Sequence, residues 1–170
     1  MDISALLIDA FDRVRQGVEE VLDGLPGDAL TFRPDDEANT IAWLVWHLAR
    51  VQDDHVAHVA GTEQRWTADG WCDRFALPFE PDATGYGQSP GDVASVQASA
   101  ELLGGYYEVV HQATLRFLGG VSEHDLDRVV DDRWDPPVTL GARLVSVLTD
   151  DLEHVGQAAY LRGLAERSGR

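Results

Sequence analysis

Four separate stretches of this chain carry apolar residues at three- and four-residue steps, a period that constrains the fold more than anything else in the sequence. The first holds Leu7, Phe11, Val14, Val18, Val21 and Leu25, with Asp12, Arg13, Arg15, Glu19 and Glu20 between them. The second holds Ile41, Leu44, Val45, Leu48, Val51 and Val59, and the third Val93, Val96, Ala100, Leu103, Tyr107, Val110, Thr114 and Phe117. The last runs through Leu140, Leu144, Val147, Leu148, Leu152, Val155, Ala159 and Leu164. Each stripe lies along one side of a helix and must be covered by another. No stretch reads as a strand, so the expected fold is an all-α four-helix bundle.

The punctuation between the stripes sets the connections. Helix 1 is expected to stop at Asp23-Gly24, before the loop LPGDALTFRPDDEANT, and Asn39 or Thr40 can cap helix 2, which ends near Gly61. Residues 62 to 88 mix Gly70, Pro78, Pro81, Gly85 and Gly87 with Trp66, Trp71, Phe75, Phe79 and Tyr86 and hold no sustained period. They read as a long crossover between helices 2 and 3, packed down as an aromatic lid. Helix 3 is expected to open after Ser89, with Pro90 in its first turn, and to run to Phe117. Gly104-Gly105 in its middle costs roughly 1 kcal/mol per glycine relative to alanine, which implies a kink or a close helix contact. Gly119 to Pro137 reads as an acidic connection, and the last helix opens near Val138 or Thr139.

At 170 residues the chain is expected to form one domain, spanning 1–170. Its formal net charge is −17 and all 13 basic residues are arginine, so nucleic acid and anionic membrane are poor partners. No apolar run approaches the roughly 20 residues that span a bilayer. The N-terminal stretch MDISALLIDAFDRVRQ places acids within its apolar residues, unlike a secretion leader, and a cytoplasmic location is expected. Cys72 is the one cysteine, which excludes an intramolecular disulfide and a cysteine zinc cluster. Lying among aromatics with no base near it in sequence, it reads as a buried, inert thiol.

Asp150 and His154 stand four apart on the last helix, at the edge of its apolar stripe, so both are expected to point inward. A buried carboxylate beside a buried imidazole is costly without a partner, and a metal ion satisfies both. His47, bordering the face of Leu44, Leu48 and Val51, is the candidate third ligand. Two nitrogens and one oxygen leave a coordination position open. The spacing leaves alternatives open: a hydrogen-bonded core pair with no metal, Asp151 in place of Asp150, and His55 or His58 in place of His47. His111 and His124 carry no signal, and Trp43, Trp46, Trp71 and Trp134 read as core.

The stretch from Asn39 to Ala49, NTIAWLVWHLA, resembles the second-helix motif of the DinB-like four-helix bundle superfamily, whose histidine is a metal ligand. Asp150 to Ala158, DDLEHVGQA, is similar to its last-helix motif, in which a His or carboxylate precedes by four a His followed by Gly-Gln. The likeness spans nearly the whole chain and is nearest the branch that includes the N-terminal domain of mycothiol-dependent maleylpyruvate isomerase. It implies His47, Asp150 and His154 as ligands of a divalent metal such as zinc or nickel. It also implies a small thiol, mycothiol or bacillithiol, as cofactor for S-transfer to, or isomerisation of, a small electrophile. Arg143 would then receive an acidic group of cofactor or substrate, and Asp54 would orient a ligand or take a proton. Two other readings are a non-catalytic bundle serving as a binding or stress-response module and a metal-dependent hydrolase. A homodimer is compatible with all of them.

Overall fold

Each of the four stripes becomes a long helix in the computed structural model, which describes residues 2–169. Helix α1 spans Ile3–Leu22 and starts where Asp2 Oδ1 accepts from the Ala5 amide at 2.8 Å. One turn, α2 (Gly27–Leu30), interrupts the loop before α3 (Ile41–Ala60). Thr40, rather than Asn39, caps α3, accepting from the Trp43 amide at 3.0 Å, and Gly61 closes it at φ +67°.

The crossover is packed down, as its aromatics imply, but it is not featureless. It forms two short helices, α4 (Arg65–Ala68) and α5 (Trp71–Phe75), that bury Trp66, Trp71 and Phe75. Their rings gather around Tyr106, with centroids 5.1 to 5.9 Å away. Segments this short carry too few turns for a period to register.

The third stripe is split, against expectation, into α6 (Pro90–Ser95) and α7 (Ala100–Leu118). The sequence carries two caps ten residues apart: Ser89 forms a capping box with Asp92, and Ser99 accepts from the Leu102 amide at 3.1 Å. Val96 bridges them in extended backbone with its side chain buried. Helix α7 runs on through Gly104-Gly105. A Cβ on Gly105 would lie 3.0 Å from Trp71 Cη2, so the pair marks close contact rather than a break.

The acidic connection also corrects the all-helical expectation in one detail. After a 3₁₀ turn at Glu123–Asp127, β1 (Val129–Asp131) pairs antiparallel with β2 (Val138–Thr139), too short for alternation to be seen in the sequence. Thr139 then caps the last helix, α8 (Leu140–Arg167), accepting from Ala142.

The four long helices bury two adjoining apolar clusters, one with Val14 and Val18 of α1, Leu44 and Leu48 of α3 and Leu103 and Val110 of α7, the other with Phe11 of α1, Leu118 of α7 and Leu144 and Val147 of α8, and Leu148 packs against both. Helix α3 packs most extensively on α8, and every residue from 41 to 50 is buried because the crossover covers the side that its neighbours leave open. Trp43, Trp46 and Trp71 are core, whereas Trp134 is exposed at the tip of the ribbon. Cys72 is half-buried against the core rather than fully enclosed. Among the described residues no helix is long and apolar enough to cross a membrane.

Candidate metal centre

The packing of α3 on α8 brings His47, Asp150 and His154 together, with one ligand-capable atom from each lying within 4.8 Å of the others. The two imidazole centroids are 4.7 Å apart, and Trp43, one turn before His47, stacks on the His47 ring at 4.6 Å and 10°. The side chains of His47 and His154 are 7% and 15% exposed and that of Asp150 is 32%, so the cluster meets solvent past Asp150.

Both imidazoles have the same nitrogen committed elsewhere. His47 Nδ1–H donates to the main-chain carbonyl of Thr84, 2.5 Å away in the crossover, and His154 Nδ1–H donates to the carbonyl of Asp150 at 2.7 Å. In the neutral rings this leaves the Nε2 lone pairs free. Burial holds the His47 imidazole below its ordinary range; nearby His154 adds to the effect, while the Thr84 carbonyl and Asp150 oppose it.

Asp150 Oδ2 lies 4.0 Å from His47 Nε2 and 3.6 Å from His154 Nδ1 and is buried with no hydrogen-bond partner. An orphaned carboxylate oxygen between two imidazoles is costly in a low-dielectric interior. A divalent cation would satisfy it together with the two nitrogens, so this donor set fits a metal.

The other sequence candidates lie elsewhere. Asp151 is turned about 100° around α8 from Asp150 and is wholly buried with neither oxygen hydrogen-bonded. Burial, reinforced by Asp150, pushes its carboxyl well above the carboxylate range. Burial, with Asp151 adding to it, likewise raises the phenol of Tyr107. His58 is exposed. His55 Nδ1 accepts from Arg143 Nη1 at 3.2 Å, and Arg143 Nη2 donates to Asp131 Oδ2 at 3.2 Å. Asp54 accepts from Gln64 Nε2 at 2.8 Å and lies 3.6 Å from His55 Nδ1. Asp54 and Arg143 thus share a cluster with His55, later on α3 and earlier on α8 than the triad.

A family model described as mycothiol S-transferase matches residues 6–166. The chain belongs to that family. A solved structure of a conserved protein from Enterococcus faecalis is similar to it, with TM-score 0.90 and 30% identity, covering 97% of this chain and 98% of that one. No curated protein matches. The DinB-like resemblance carried by residues 39–49 and 150–158 is thereby borne out.

In this member of the mycothiol S-transferase family, the surroundings of the triad include residues that sequence reasoning passed over. Arg50, fully buried, donates from Nε to the Ala83 carbonyl at 3.1 Å and from Nη1 to Gln64 Oε1 and Tyr106 Oη. Asp53 accepts from the amides of Arg65 and Trp66 and from Tyr106 Oη, anchoring the start of α4. Arg50 and Asp53 follow His47 on the same helix, but an Arg and an Asp three apart read as an ordinary solvated pair. Thr84 acts through its carbonyl, which no side-chain pattern reveals, and Gly85 was legible only as a turn former.

Proposed function

We propose that the protein is a metal-dependent transferase that moves the sulfur of a small thiol, of the mycothiol type, onto a small electrophile. The observation that carries this reading is the meeting of two imidazoles and an orphaned carboxylate oxygen in a chain of the mycothiol S-transferase family. His47 and His154 would hold a divalent ion, zinc or nickel, through Nε2, and Asp150 through Oδ2. Bound there, the ion supplies the positive charge that lets a thiol ionise at neutral pH.

The chain's own residues do the rest. Asp150 neutralises part of the charge, and the stacked Trp43 ring keeps water from the His47 side. The open side past Asp150 admits thiol and electrophile. In the transfer, the sulfur lone pair forms a bond to an electrophilic carbon, the leaving group departs with its electron pair, and the thiol proton passes to solvent.

The test is metal content and thiol-dependent turnover of a haloaromatic electrophile such as chlorodinitrobenzene, with mycothiol as the thiol. The parent is expected to hold about one metal per chain, and His47→Ala and His154→Ala to lose both metal and turnover while staying helical by circular dichroism. Turnover undiminished without thiol would favour hydrolysis, and a parent that takes up neither zinc nor nickel would sink the metal reading.

A further inference from the structure

Three side chains along one face of α3 hold the same short piece of the crossover. Trp43 Nε1 donates to Gln88 Oε1 at 2.7 Å, His47 Nδ1 to the Thr84 carbonyl at 2.5 Å, and Arg50 Nε to the Ala83 carbonyl at 3.1 Å. Arg50 is itself fixed by Gln64 and Tyr106, so the height of this strap above α3 is set by groups outside the triad.

Between the pinned points the strap lies directly on His47. Gly85 has φ +102°, a conformation that strains any residue with a side chain. A Cβ there would fall 2.5 Å from His47 Nδ1, 3.1 Å from Trp43 Cζ2 and 3.2 Å from Trp46 Cζ3. No side chain fits unless the strap lifts. Lifting withdraws the Thr84 carbonyl, the one group that holds the His47 proton on Nδ1. The alternative tautomer places N–H on Nε2, which already faces Asp150 Oδ2 at 4.0 Å.

We propose that Thr84 and Gly85 are positioning residues for His47: the carbonyl selects the tautomer that leaves Nε2 able to bind a metal, and the glycine lets the carbonyl reach the ring. The purpose of this arrangement rests on the metal reading above; its geometry does not. Residues that orient a ligating histidine through its other nitrogen are worth about 10- to 100-fold in metal affinity.

Gly85→Ala tests the proposal, because the contribution of Thr84 is main-chain and survives side-chain substitution. In the metal-free parent, long-range ¹⁵N–¹H spectra at pH 8 should show His47 as Nδ1–H, with the signal assigned by its loss in His47→Gln. In Gly85→Ala the Nε2–H form should gain population, and zinc affinity by competition titration should fall about 10- to 100-fold. Gly87→Ala is the control: its φ of +72° strains the same strap, but a Cβ there meets nothing within 4 Å, and both readouts should match the parent. Nε2–H in the parent, or a Gly85→Ala protein with Nδ1–H retained and zinc affinity unchanged, overturns the proposal. If the parent binds no zinc, the metal reading fails and the tautomer comparison still decides the role of the strap. If Gly85→Ala does not fold, the parent spectrum alone decides it.

Discussion

His111 shows what burial does to a histidine that has no part in the triad. It is fully enclosed; Nε2–H donates to Asp12 Oδ1 at 3.0 Å, its ring lies 6.1 Å from that of Tyr107, and Nδ1 has no hydrogen-bond partner. Burial holds this imidazole below its ordinary range, with Asp12 and Glu108 working against burial and Arg15 with it. The folded chain therefore binds a proton less readily than the unfolded chain, and stability fully present above the unfolded value near 6.5 is lost as pH falls from there through the lower folded value. His47 and His55 are lowered in the same sense. Because the raised carboxyls of buried Asp151 and Asp53 titrate with the opposite sign, the readout is a difference: between pH 7.5 and 5.5 the metal-free protein should lose more urea stability, or gain less, than His111→Gln, and equal changes in the two would refute this. In the sequence His111 carried no signal, whereas His47, Asp150 and His154 were legible because a four-residue step on a helix fixes a shared face and two motifs marked the same positions. The choice between Asp150 and Asp151 was not legible: by helical angle both face inward, and only the side on which α3 packs separates them.

Long elements were legible and short ones were not, for a reason rooted in periodicity. A helix of five turns repeats its stripe often enough to be counted, while α4, α5 and the ribbon of β1 and β2 end before a second repeat. The break between α6 and α7 is instructive because the stripe continues across it, and only the two serines reveal two starts. Removing the second cap should be felt: Ser99→Ala is expected to lower stability by about 1 kcal/mol in urea denaturation, leaving an amide of the first turn without its acceptor. A change below about 0.3 kcal/mol would mean that packing of Val96 and Leu103, not the hydroxyl, sets where α7 begins.

Across the whole molecule the dominant quantity is the net charge of −17. Carboxylates held by arginine, such as Asp131 between Arg133 and Arg143, offset only part of the repulsion among the rest. Raising sodium chloride from about 0.02 to 0.5 M shortens the screening length several-fold, so the melting temperature should rise by a few degrees. A fall would show that attractive pairs outweigh net repulsion.

The first half of α3 has no solvent side, since residues 41 to 50 are buried by two neighbouring helices and the crossover together. An ordinary surface helix offers evolution a polar flank on which sequences drift freely, and this one does not. Invariance at His47 among relatives would therefore carry little information by itself, because a packing constraint alone would freeze the position. The informative sites for tracing how substrate preference diverges lie where Asp150 meets solvent and at exposed crossover positions such as Tyr86.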